Sequence, residues 1–438
     1  MQRNRSYWDS GYFQYNSLNK MHIELSSLCN SICPNCPRYY RNSPNELPEL
    51  LPQSISIEKF KEWFPPELLA NIDMLLLCGN HGDPGTCKDL LPIMEYLYEY
   101  LPDDGTLQMH TNGGMKTEKV WDRIGELFAK RDDGWKMIFS IDGLEDTNHI
   151  YRRNVRWDKL MKNVKAYTKH GGNSDWEFLI FKHNEHQIEE AKRMTEEVGI
   201  RTFSPKIAHG LDDGKDFSTM PALNKDGTVD YHIYPPAEKK NRVNYIENSD
   251  NTDIIKIRNL EFGQGKPGQP QRIETTKLDN PLAFQPGTTG LDRLSEQELK
   301  KLDDAVIRPR CHREVFVSAA GFVTPCCWIG LLIPFIDDPK KVSTFFEWHQ
   351  LKEKMMKIGL EKFNLHNDTL ENILNENRLN EVYSDDWNKT TACGKLAECT
   401  KQCGLPNVVD DTMSHEDNPY KEIRSSTDHR EHLVCDTD

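Results

Sequence analysis

The chain has 438 residues, 55 of them Lys or Arg and 69 Asp or Glu, for a formal charge of −14. That length has room for roughly two or three domains at about 150 residues each, and the acidic balance disfavours nucleic-acid backbones and anionic membranes as bulk partners. No apolar run approaches the ~20 residues of a membrane span, and the N-terminus lacks an apolar signal region, so a cytoplasmic protein is expected.

Residues 1–19 read as an N-terminal extension. From 20 to 209, short β-like runs alternate with amphipathic helical patterns, which points to βα units on a mostly parallel sheet. The expected strands are MHIEL (21–25), DMLLLC (73–78), TLQMH (106–110), KMIFSI (136–141), WEFLIF (176–181) and IRTFSPKI (200–207). Between them, apolar residues recur at helical spacing, as in Leu90, Leu91, Met94, Leu97, Tyr98 and Leu101, in Val120, Ile124, Leu127 and Phe128, and in Ile188, Ala191, Met194 and Val198. Polar or Gly-rich segments follow the strands (SSLCNSICPNC, GNHGDPG, TNGG, DGLEDT, KHN). Ligand sites of such sheets lie at those carboxyl ends. Residues 210–304 are rich in Gly, Pro, Asn and charge and read as an irregular linker or insertion. Residues 305–438 form a cysteine-rich C-terminal domain with an expected helix over 369–383.

The twelve cysteines fall into two clusters separated by the cysteine-free stretch 88–310. In a long chain without an export signal, such clusters read as metal or catalytic ligands before disulfides. Cys29, Cys33 and Cys36 form C-x3-C-x2-C directly after the first strand. A closed zinc or ferredoxin site needs a fourth ligand nearby, and none follows within the loop. Three thiolates on a four-iron cluster leave one iron open to an external ligand.

That motif, in that place, resembles the radical S-adenosylmethionine (radical SAM) superfamily. The resemblance implies a partial (β/α)6 TIM-like barrel, a [4Fe-4S] cluster on Cys29, Cys33 and Cys36, and SAM chelated to the open iron. One electron, from a donor such as flavodoxin or ferredoxin, would split SAM into methionine and a 5′-deoxyadenosyl radical that abstracts hydrogen from a substrate. Cys78-Gly79-Asn80-His81-Gly82-Asp83-Pro84 is similar to the family's segment that receives the SAM amino group, with Asp83 in place of Glu. Gly82 would permit close backbone approach and Asp83 would accept from an ammonium. Asn112 in Thr111-Asn112-Gly113, and Ser140 and Asp142 in Ser140-Ile141-Asp142-Gly143, resemble later family segments. With Arg153, and Arg152 beside it, they would contact the ribose and carboxylate of SAM. Cys78 and Cys87 read as buried or free thiols.

In the second cluster, Cys311-x9-Gly321-x4-Cys326 and Cys393-x5-Cys399-x3-Cys403 resemble the SPASM or twitch-like extension of radical SAM maturases. Thr390 stands where that extension has the first cysteine of its second block. The resemblance implies at least one auxiliary iron–sulfur cluster drawn from Cys311, Cys326, Cys393, Cys399 and Cys403. Peptides or proteins are the expected substrates, with small molecules as the other class. The cysteines alone also suit a zinc-bearing, non-catalytic interaction protein on a βα scaffold.

Overall fold

The computed structural model describes residues 13–39, 44–46, 50–131, 134–208, 219–238, 241, 300, 303–304, 306–307, 313–331, 348–387, 389–390, 393, 395–396, 399 and 404–405. The chain forms two compact units. One comprises Leu18–Asp279 with Val315–Val323, and the other comprises Met1–Ser17, Asn280–Glu314 and Thr324–Asp438.

The first unit is an α/β structure. Strands β1 (Lys20–Ile23), β2 (Met74–Leu77), β3 (Thr106–Thr111), β4 (Trp135–Ser140), β5 (Ser174–Ile180) and β6 (Thr202–Ile207) lie in sequence order, each parallel to the next. Two further short strands, Glu314–Val317 and Val323–Thr324, extend the β1 edge to make an open eight-stranded sheet. All six expected parallel strands are therefore present. Each crossover carries helix: α1 (Ile57–Trp63) and α2 (Pro66–Leu69), then α3 (Leu90–Tyr100), α4 (Glu118–Ala129), α5 (Asn148–Tyr151) and α6 (Trp157–Thr168), and α7 (Ile188–Val198). Crossovers between parallel strands are right-handed as a rule, which places the helices between sequential strands on one face of a sheet.

The register shows why the faces differ. Leu107, Trp135, Met109, Met137, Phe139 and Trp176 share one face and are fully buried. Phe139 meets Trp121 of α4 and Tyr167 of α6 at ring-centroid distances of 5.8 and 5.5 Å. The opposite face carries His22, Gln108, His110, Lys136, Asp175, Glu177 and Lys206. Strand period two thus divides an apolar, helix-covered face from a polar one.

Within 210–304, expected to be irregular, residues 220–233 form an antiparallel hairpin of β7 (Met220–Leu223) and β8 (Val229–Ile233). Its turn closes through Asn224 N–H donating to Thr228 O at 2.8 Å, while Asp226 Oδ1 accepts from Thr228 N at 3.0 Å. Gly227 sits at φ +84°, which a side chain resists. The Asp-Gly pair between apolar residues is a hairpin signal that composition alone hides.

In the second unit the helix expected over 369–383 is divided. It runs Leu370–Asn375, capped by Thr369 Oγ1 accepting from Asn372 N at 3.1 Å, and a π-helical turn follows at Asn380–Ser384. Asn377 at φ +63° breaks it. Arg378 is nearly buried there and pairs with Asp368 at 2.6 Å and with Glu376. Val306–Ile307 pairs antiparallel with Gly404–Leu405. No helix among the described residues is long and apolar enough to cross a membrane.

Candidate cysteine-loop site

The loop after β1 carries Cys29, Cys33 and Cys36. Cys33-Pro34-Asn35-Cys36 closes as a turn, with Cys36 N–H donating to Cys33 O at 3.2 Å. Proline suits its second position, and Asn35 adopts φ +65°, the left-handed conformation that asparagine tolerates best after glycine. Donors surround the sulfurs. Ser31 N–H reaches Cys29 Sγ at 3.4 Å, Asn112 Nδ2 reaches the same sulfur at 3.6 Å, and Arg152 Nη1 reaches Cys33 Sγ at 3.7 Å. Ser31 Oγ lies 3.0 Å from Cys33 Sγ.

Burial pushes the Cys36 thiol up to about 12, with the neighbouring Cys33 adding to it. Cys29 is raised by burial, then by Asp83 and Cys33. The three thiols lie close enough to repel one another as anions, which is the problem a bound cation solves. Among the described residues no three His, Cys, Asp or Glu side chains close around one metal-holding point. The donor chemistry, three thiols with N–H groups aimed at two of the sulfurs, fits an iron–sulfur centre.

The loop after β2 is braced against this one. Glu24, at the end of β1, is buried, and its Oε1 accepts from His81 N at 2.7 Å and Gly82 N at 3.2 Å. Its Oε2 accepts from Ala319 N at 3.4 Å. Burial raises its pKa while these N–H bonds oppose the rise. Arg38, also buried, donates to Ser27 O and to His81 O, the latter at 3.3 Å, and pairs with Glu46 at 2.7 Å. Glu24 and Arg38 were not singled out in the sequence. The only signal is a charged residue at the edge of an apolar run. Gly82 is where backbone meets backbone: a Cβ there would stand 1.8 Å from Ser26 O. The Gly82 backbone therefore packs directly against the start of the cysteine loop.

Asp83 is buried and engaged. Oδ1 accepts from Gly85 N at 2.8 Å and Thr111 Oγ1 at 2.8 Å, and Oδ2 accepts from Asn112 N at 2.7 Å. It therefore ties the β2 loop to the end of β3. Asn112 also donates to Asn30 Oδ1 at 2.9 Å and accepts from Gly114 N at 2.9 Å, so it is fixed beside Cys29. Ser140 ends β4, half-buried and level with Glu177. Asp142 is fully buried; it accepts from Leu179 N at 2.7 Å and pairs with Arg152 Nε at 2.5 Å.

Of the two arginines, the structure brings Arg152 to the cysteines. Arg153 turns away: its Nη1 donates to Leu223 O at 3.1 Å and its Nη2 pairs with Asp230 at 3.3 Å. Only its backbone meets the cysteine loop, accepting from Ile32 N at 3.0 Å. Cys87 is buried and donates to Ile55 O at 3.4 Å, and Cys78 is half-buried at the end of β2.

Two histidines flank the loops. Burial lowers His22 and His81 to about 4 from an ordinary 6.5. A lowered histidine pKa contributes stability that is present above 6.5 and lost as pH falls through about 4. Proton titration by NMR is expected to find both imidazoles neutral at pH 6. Midpoints near 6.5 would contradict the burial.

In the second unit, Cys326 and Cys399 are neighbours. Burial raises the Cys326 thiol and Cys399 adds to the rise, and both press on the buried Tyr383. Cys327, next to Cys326, is half-buried. Cys393 is disulfide-bonded, so it can serve as a thiolate ligand only in the reduced chain. Cys311 and Cys403 lie outside the described residues.

No family model matches the chain, and no curated protein matches it significantly in sequence. Among solved structures it is similar to SuiB from Streptococcus suis bound to S-adenosylmethionine, at 15% identity and TM-score 0.39 over 76% of this chain and 68% of that one. SuiB bound to the precursor peptide SuiA matches at 17% identity and TM-score 0.39, over 75% and 61%. His-tagged anSMEcpe with bound AdoMet matches at 13% identity and TM-score 0.33, over 43% and 49%. Identities below 25% with TM-scores below 0.5 identify neither family nor activity.

Proposed function

We propose that the chain is a radical SAM enzyme. The observation that carries this reading is the C-x3-C-x2-C loop at the carboxyl end of β1, joined by Asp83, Asn112 and Asp142 from the following strand ends and by Arg152 from the end of α5. Bound to Cys29, Cys33 and Cys36, a four-iron cluster would supply the electron that splits SAM and generates the hydrogen-abstracting radical. The chain's own contribution is placement. Glu24, Arg38 and Gly82 lock two loops together, and Asp83 fixes Asn112 beside Cys29. The Asp142–Arg152 pair sets a cation against Cys33. An open iron requires three protein ligands and no fourth, and the three cysteines of the C-x3-C-x2-C motif are the number such a centre would take.

The proposed substrate is a peptide or protein, on the spacing of the C-terminal cysteines, with Cys326 and Cys399 among the ligands of an auxiliary cluster. The test is anaerobic reconstitution with iron and sulfide, metal counting, and chromatography for 5′-deoxyadenosine after adding SAM and reductant. Product with roughly eight irons per chain, two four-iron clusters, supports the reading. A colourless chain holding zinc and forming no product defeats it.

A second expectation isolates the auxiliary centre. Replacing Cys326 and Cys399 together by Ser should lower the iron content by roughly half while 5′-deoxyadenosine production without substrate persists. An unchanged iron count would remove these two residues from the ligand set.

A further inference from the structure

The hairpin β7–β8 has no role in the reading above, yet its inner face meets the cysteine loop. Strand alternation places Met220 and Ala222 of β7 and Tyr231 and Ile233 of β8 on one side. Met220 and Ile233 are buried in a single apolar cluster with Cys33, Tyr151, Phe181 and Ala208, against which Cys36, Leu179 and Tyr231 pack. The outer side carries exposed Asp230 and His232. An isolated two-stranded hairpin is at best marginally stable in water, so it must be held by what it packs on and what fastens it.

The fastening is specific. Arg153 donates to Leu223 O at 3.1 Å on β7, pairs with Asp230 at 3.3 Å on β8, and lays its guanidinium over the Tyr231 ring at 5.7 Å. The carbonyl of the same residue accepts from Ile32 N at 3.0 Å, in the cysteine loop one position before Cys33. Tyr231 OH donates to Ile150 O at 2.5 Å, and Lys182 N–H donates to Tyr234 O at 3.0 Å beyond β8. One arginine therefore grips both strands of the hairpin through its side chain and the cysteine loop through its backbone.

We infer that the β7–β8 hairpin is a cover over Cys33 and Cys36, and that Arg153 is the positioning residue that clamps it there, keeping water and small oxidants from the sulfurs. The inference rests on reading those cysteines as iron–sulfur ligands only for its purpose; the cover itself is a property of the metal-free chain. An apolar shell of this kind governs solvent access and local dielectric at a metal centre, and solvent exposure is among the factors that set cluster potentials. It also accounts for Arg153 standing next to Arg152 without sharing its task.

The test begins on the full-length, metal-free chain under anaerobic, reducing conditions, with iodoacetamide labelling of each cysteine followed by mass spectrometry. Arg153→Ala is expected to raise the labelling rates of Cys33 and Cys36 about tenfold or more, as the opening equilibrium shifts. Cys87, buried elsewhere, is the internal control and should not change. Arg153→Lys keeps the charge but loses the fork, and should fall between. Unchanged rates at Cys33 and Cys36 in Arg153→Ala overturn the inference. If Cys87 accelerates in parallel, the variant has unfolded and Tyr231→Phe decides. Selective labelling there upholds the cover, and wild-type labelling overturns it.

The same variants are then reconstituted and exposed to air. Faster bleaching of the iron–sulfur absorbance in Arg153→Ala than in wild type is expected, and equal bleaching contradicts a shielding role. A wild-type chain that acquires no iron–sulfur colour defeats the enzyme reading, while the alkylation rates still judge the cover.

Discussion

On the proposed function, Cys33→Ala is expected to abolish SAM cleavage while leaving the fold in place. Cys33 is 8% exposed, and its sulfur is met by Ser31 Oγ at 3.0 Å and Arg152 Nη1 at 3.7 Å. Losing one atom from that cluster removes burial on the scale of a single methylene, about 1 kcal/mol. The Asp142–Arg152 pair survives, because neither partner lies on the cysteine loop. Loss of function is a different matter. On the proposed function, a loop with two thiolates would not hold the centre that three would hold, and the open-iron site would go with it. Circular dichroism and the melting temperature should stay close to wild type, iron content should fall, and 5′-deoxyadenosine should drop below detection. Sustained cleavage by the Ala variant would refute the ligand assignment.

What the sequence made legible follows from the kind of signal each feature leaves. The six parallel strands are short apolar runs bounded by polar, Gly-rich segments. Their ends agree with the structure to within two residues, the usual uncertainty at element ends. The loop cysteines are readable because three of them fall in one short stretch directly after the first strand, as C-x3-C-x2-C. The braces are not. Glu24 touches residues 57, 58 and 295 positions away, and nothing local distinguishes it from a solvent-facing glutamate. The hairpin at 220–233 left an Asp-Gly turn signal, but the charged composition around it hides the two short strands. Arg152 and Arg153 are indistinguishable as letters. They part at the end of α5, where adjacent side chains leave the backbone in different directions, one to Cys33 and the other to Leu223. Asn377 could have been suspected of breaking its helix, since the run NENRLN is poor in strong helix formers at its asparagines.

Glu24→Ala is expected to be the most damaging substitution in the sheet-bearing unit that removes no proposed metal ligand. The carboxylate collects N–H groups from His81, Gly82 and Ala319 in a place closed to water. Alanine would leave those donors buried without it, at about 1–3 kcal/mol each, so a loss of several kcal/mol is expected. For a unit of this size that corresponds to a fall in melting temperature of roughly 10 °C or more. Glu24→Gln separates shape from charge. Its amide oxygen can still serve His81 and Gly82, but the amide nitrogen would face Ala319 N–H, donor against donor. The order of melting temperatures should therefore be wild type, then Gln, then Ala. On the proposed function, SAM cleavage should follow the same order, because Asp83 holds Asn112 beside Cys29 only while the β2 loop keeps its place. The Gln variant carries the sharper inference. If it melts like wild type but cleaves poorly, the negative charge of Glu24 acts on the centre beyond bracing the loop. If the Ala variant melts within about 2 °C of wild type, the buried N–H groups have found other acceptors and Glu24 is no brace.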